Sequence, residues 1–85
     1  YHGITYEKRA QTALAHSKTA IVTNTFSKYF AMTGWRLGWL AGPTEILARV
    51  KNLAENLCVS PPTLSQHLAY KIFDHTDELD AYVKH

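Results

Sequence analysis

The chain has 85 residues, enough for one small domain with a modest core rather than a deep one. Hydrophobic residues make up 46% and charged residues 19%, a globular composition that argues against a disordered, collagen-like or disulfide-rich chain. The formal charge of +2 is spread along the sequence, with Lys8–Arg9 the only adjacent basic pair, so the concentrated basic face of a nucleic-acid binder is missing.

One cysteine, Cys58, rules out an intrachain disulfide and fits a reducing cytoplasm, the expected location. No apolar run approaches the roughly 20 residues that span a bilayer, so no membrane partner is expected. The first nine residues lack the charged-then-apolar layout of a signal peptide. The chain opens Tyr1-His2-Gly3 and its single methionine is Met32, as expected of a segment from a longer protein.

In chain order, Tyr6, Ala10, Ala13 and Leu14 recur at helical spacing, and predict a helix over 5–16. Residues 19–24 are β-branched and apolar and predict a short buried strand. Residues 25–35, polar and small, predict a loop, and 36–41 a second strand ended by Gly42-Pro43. Thr44 then reads as a helix N-cap, with Glu45 in the first turn where the helix dipole favours negative charge. Ile46, Leu47, Val50, Leu53, Ala54 and Leu57 line one face of that helix. After Pro61-Pro62 a second helix runs to Phe73 with the stripe Leu64, Leu68, Ala69 and Ile72. Asp74-His75-Thr76 is a joint, and 77–85 begins a further helix. Two strands do not make a stable sheet alone, so further strands are expected upstream.

The chemistry concentrates in Thr25-Phe26-Ser27-Lys28 and in Thr33-Gly34-Trp35-Arg36-Leu37-Gly38-Trp39. Lys28 follows a buried strand, with hydroxyls at Thr23, Thr25, Ser27 and Thr33. Arg36 lies eight residues on, where a loop returning to the same end of the sheet sets it beside Lys28. Two cations and several hydroxyls suit a phosphate: guanidinium grips two oxygens in a planar fork, and hydroxyls donate further bonds. A lysine amine is also a nucleophile suited to Schiff-base formation with an aldehyde. An anionic aldehyde held by its phosphate and captured by an amine meets both conditions.

This segment resembles the cofactor-lysine segment of class I/II aminotransferases, the fold-type I pyridoxal-phosphate family. The resemblance extends over the whole chain and is densest from Thr23 to Pro43. It implies an α/β fold, with residues 1–85 as the C-terminal part of the large cofactor-binding domain, three-layered around a mostly parallel sheet. Residues 74–85 would lead toward a small C-terminal domain. It implies pyridoxal 5'-phosphate as cofactor, attached to Lys28, which then moves protons between the substrate α-carbon and the cofactor. Arg36 and Thr25 would bind the phosphate, with Ser27 assisting. Tyr1-His2-Gly3 resembles the end of the family's Asp-Glu-x-Tyr-x-Gly stretch, which gives Tyr1 a hydrogen bond to the cofactor's phenolic oxygen. The aspartate for the pyridinium nitrogen would stand three residues before Tyr1, outside these residues. The carboxylate-binding arginine would come from the small domain. Asn56–Pro62 resembles a stretch near the dimer interface, where Ser60 would meet substrate or partner.

The implied activity is amino-group transfer between an amino acid and a 2-oxo acid by a homodimer, in the style of bacterial and archaeal aspartate or aromatic transaminases. Carbon–sulfur lyases, decarboxylases and synthases of the same family share nearly the same lysine loop and stay open. Two readings of other classes compete with it. Thr25-Phe26-Ser27-Lys28 approaches the Ser-x-x-Lys of penicillin-recognising hydrolases, but threonine replaces the serine and no Ser-Asp-Asn or Lys-Thr-Gly follows. A non-catalytic small α/β interaction domain would make the lysine loop incidental. The histidines, His2, His16, His67, His75 and His85, show no ligand spacing, so no metal is expected.

Overall fold

The computed structural model describes residues 1–84. Strand β1 (Val22–Thr25) pairs with β2 (Gly38–Ala41), and three helices follow: α1 (Thr44–Leu57), α2 (Thr63–Ile72) and α3 (Thr76–Val83). Single 3-10 turns occupy Ala13–Ala15, Thr33–Trp35 and Phe73–His75. Among the described residues these two strands are the whole sheet.

The strands run antiparallel, with Val22 opposite Ala41 and Thr25 opposite Gly38. Neither strand finds a parallel neighbour among the described residues. The reason lies in the connection: the segment from Phe26 to Leu37 folds back at once, with no crossover helix of the kind parallel pairing needs. Gly38 is required at its place in β2. A β-carbon there would lie 2.5 Å from the Asn24 carbonyl oxygen, so only a bare α-carbon lets the strands close.

The core is small and sits where the sequence predicts a polar loop. Phe26, Phe30, Met32 and Ala69 are the buried hydrophobics, with Met32 2% exposed. Phe26 and Phe30 pack at 4.8 Å between ring centroids, and each meets Phe73, at 5.8 and 5.5 Å. Trp39 of β2 closes edge-on against Phe26 at 4.9 Å. Offset and edge-to-face contacts of this kind add to the area such rings bury.

The predicted helix over 5–16 does not form. Only Ala13–Ala15 turns, with the Thr12 side chain accepting from the Leu14 amide. A helix of that length is marginal unless it buries a face, and none of residues 5–16 is buried, with Tyr6 almost wholly exposed. Helix α1 begins as expected, but Pro43 rather than Thr44 is the cap. The Pro43 carbonyl receives the amides of Ile46 and Leu47, and no side chain caps the end. None of the residues of α1 is buried. Helix α2 matches its expected span, and Leu68, Ala69 and Ile72 of its expected stripe meet the core, but Ser65, buried at 3% exposure, completes that face in place of Leu64, which stands 67% exposed. Helix α3 starts at Thr76 with Asp77 and Glu78 in its first turn, and His85, the last residue of the span expected to begin this helix, lies outside the described residues.

Candidate active site

The lysine loop is held from inside. Phe26 and Phe30, two residues on either side of Lys28, point into the core, and Lys28 between them is exposed. The backbone closes around it: the Phe26 amide donates to the Leu37 carbonyl, Met32 to Phe26, and Ala31 to Lys28, all at 3.0–3.1 Å. An apolar anchor on each flank thus fixes the course of the chain through Lys28 while leaving its amine in solvent.

The predicted site residues fall into two neighbouring groups. In the first, the Thr25 hydroxyl lies 2.9 Å from the Ser27 hydroxyl and also donates to the Leu37 carbonyl at 3.2 Å, while the Ser27 amide donates to Thr25 Oγ1 at 3.1 Å. Thr33 extends the group by donating its hydroxyl to the Ser27 carbonyl at 2.9 Å. Arg36 then donates from Nη1 to the Thr33 carbonyl at 3.0 Å. Thr25, Ser27, Thr33 and Arg36 are therefore joined in one chain of hydrogen bonds. Arg36 lies just before β2 with φ of 50°, the left-handed region that bulky residues occupy at a cost.

In the second group, Lys28 Nζ lies 5.5 Å from the centroid of the Tyr1 ring, within the range of a cation–π contact. Tyr1 sits at the head of a turn closed by the Ile4 amide donating to the Tyr1 carbonyl at 3.0 Å. Among the described residues no carboxylate pairs with Lys28 or with Arg36. No hydrogen bond joins Arg36 directly to Lys28; the loop backbone and Thr33 connect them. The donor set suits an anionic aldehyde: an unpaired amine, an unpaired guanidinium and two hydroxyls that can turn outward to a phosphate.

Three contributors escape the sequence reading. Ser65 of α2 donates to the Trp35 carbonyl at 2.7 Å and so supports the turn that presents Arg36. Its signal is a small hydroxyl residue within an otherwise apolar helical stripe. Tyr29 donates its hydroxyl to Asp80 of α3. That bond, helped by burial, pushes the Tyr29 hydroxyl up to about 12. Neither Tyr29 nor Asp80 carries a local sequence signal, because 51 positions separate them. Ser60 is exposed, in the segment between α1 and α2. No helix among the described residues is long and apolar enough to cross a membrane.

The loop thus carries an exposed lysine beside the Tyr1 ring, with Arg36 bonded separately to the group of hydroxyl residues. The family profile described as Aminotransferase class I and II matches residues 1–85. The chain belongs to the class I and II aminotransferase family. Among curated proteins it is 49% identical over 75 residues to a valine–pyruvate aminotransferase of Mycobacterium tuberculosis, covering 86% of this chain and 19% of that protein. It is 38% identical over 81 residues to a (5-formylfuran-3-yl)methyl phosphate transaminase of Methanocaldococcus jannaschii, covering 92% and 22%. It is 30% identical over 82 residues to an aspartate aminotransferase of Sulfolobus acidocaldarius, covering 93% and 20%. The chain thus spans about a fifth of the length of these relatives. No solved structure matches it significantly.

Proposed function

We propose that the protein containing this chain is a pyridoxal-phosphate-dependent transaminase, moving an amino group between an amino acid and a 2-oxo acid, and that Lys28 holds the cofactor through a Schiff base. The observation that carries this reading is the family match over all 85 residues with an exposed lysine between two buried phenylalanines. The relatives named above differ in the substrates their names give, yet all match this segment. What the segment supports is therefore the step they share rather than the choice of substrate.

In this reading Arg36 and the hydroxyls of Thr25 and Ser27 bind the phosphate, and Tyr1 donates its hydroxyl to the phenolic oxygen. When bound, pyridoxal phosphate supplies a ring that accepts electrons from the substrate α-carbon. Lys28 carries a proton on Nζ to and from that carbon, a task that needs a reachable amine on a fixed backbone. Residues 1–85 form the C-terminal part of the cofactor-binding domain, within a three-layer, mostly parallel sheet, and 74–85 lead to a small domain. The whole enzyme is a homodimer, and a cytoplasmic location belongs to the same reading.

The test is to add pyridoxal phosphate to the full-length protein, reduce it with borohydride and map the labelled peptide. The expected result is a coloured protein with the label on Lys28 and loss of colour in Lys28→Ala. A label scattered over other lysines would overturn the assignment. The 85 residues alone are expected to show no transaminase turnover, because the pyridinium and carboxylate partners implied by the family lie outside them.

A further inference from the structure

The residue after the lysine is tied down in three directions. Its hydroxyl donates to the Asp80 carboxylate on α3. Its ring stands edge-on to Phe30, with centroids 4.9 Å apart at 88°. Its face lies against Gly3, so closely that a β-carbon on Gly3 would fall 2.5 Å from Tyr29 Cδ2 and 2.7 Å from Cε2. Gly3 adopts φ of 91° inside the turn that carries Tyr1. One side chain therefore touches the backbone that presents Lys28, the turn that presents Tyr1 and a helix far along the chain.

The turn has little else to hold it. Tyr1, His2 and Gly3 are exposed, and among the described residues the only backbone hydrogen bond of residues 1–11 is the one from Ile4 to Tyr1. Yet Lys28 Nζ and the Tyr1 ring are 5.5 Å apart. From this we infer that Tyr29 is a positioning residue, which sets Lys28 and Tyr1 face to face by clamping Gly3 with its ring and anchoring its hydroxyl on Asp80. The inference rests on the reading of Lys28 as the cofactor lysine. In this reading Tyr29 acts through Lys28 and Tyr1. The bond to Asp80 raises the pKa of the Tyr29 hydroxyl above its ordinary value, so the hydroxyl keeps the proton that it donates to that carboxylate.

The two halves of the clamp separate cleanly by substitution. Tyr29→Phe keeps the ring on Gly3 and removes the bond to Asp80, Asp80→Asn alters the acceptor alone, and Tyr29→Ala removes both. In the full-length protein without added cofactor, trace labelling with acetic anhydride measures how reactive Lys28 is relative to Lys51, an exposed lysine on α1. Tyr29→Phe and Asp80→Asn are expected to raise the labelling of Lys28 relative to Lys51 by about threefold or more, the fold-change that one net hydrogen bond is worth. In the loaded enzyme the pH midpoint of the visible band should move in the same variants, which a merely structural loss would not produce at unchanged melting temperature. Wild-type labelling of Lys28 with an unmoved band midpoint in both variants would overturn the inference. Should Tyr29→Ala fail to fold, the two milder variants decide it. The borohydride map tests the cofactor reading separately: a wild-type label away from Lys28 would sink that reading, while the anhydride ratio still reports on the clamp.

Discussion

At the scale of single residues, two positions show backbone and charge setting what a side chain can do. Gly38 faces Thr25 across the ribbon, and its bare α-carbon admits the Asn24 carbonyl. Gly38→Ala forces the strands apart next to the Thr25 and Ser27 hydroxyls, and is expected to cost about 1–3 kcal/mol in urea denaturation. His75 ends the 3-10 turn before α3 with Nδ1 2.8 Å from Glu78 Oε1. The hydrogen bond to Glu78 and its negative charge raise the imidazole above the usual histidine value of 6.5. The stability that this pairing adds is fully present below pH 6.5 and fades as pH rises through the raised folded value. Titration of the His75 ring protons by NMR should give a midpoint above 6.5, falling back toward it in Glu78→Gln.

Among elements, the lysine loop and α2 are one unit although the sequence separates them. The hydroxyl of Ser65 reaches the Trp35 carbonyl from within the helix interface. Ser65→Ala leaves that carbonyl without its partner and is expected to lower stability by about 1–3 kcal/mol. Leu64→Ala, one residue away on the exposed face, should change it by less than about 0.5 kcal/mol. Denaturant midpoints of the two variants make the comparison. The same pair shows how far the sequence can be read. The spans of α1 and α2 are legible because prolines and periodicity mark them locally, and three of the four stripe residues of α2, Leu68, Ala69 and Ile72, meet the core, with Leu64 alone outside it. Ser65 shares the helical face of Leu68, Ala69 and Ile72, but a serine carries no apolar signal, and only the packed core shows that it is buried there. The loop was legible as chemistry and not as packing. Its hydroxyls and cations form a recognisable motif, whereas the burial of Phe26, Phe30 and Met32 depends on α2 and on Phe73. The helix expected over 5–16 failed for the converse reason: its periodicity is real, but no surface receives it.

For the whole molecule, the exposed surface of 7207 Å² exceeds the roughly 5,100 Å² expected of a compact monomer of 9.6 kDa. The radius of gyration of 14.6 Å likewise exceeds the roughly 12 Å of a compact chain this long. The excess sits in the first 12 residues and in α1, whose Leu53 and Leu57 are exposed. Among the described residues the buried ones, Phe26, Phe30, Met32, Ser65 and Ala69, thus come from the lysine loop and α2 alone. This reverses the usual order of opening. Loops ordinarily exchange their amide hydrogens first and helices last. Here the amides of Phe26 and Met32 are bonded within the most buried layer, while α1 buries no residue at all. Hydrogen exchange followed by mass spectrometry should find α1 deuterated well before the lysine loop. A substituent carried on Lys28 would then be mounted on the last part of the chain to let go.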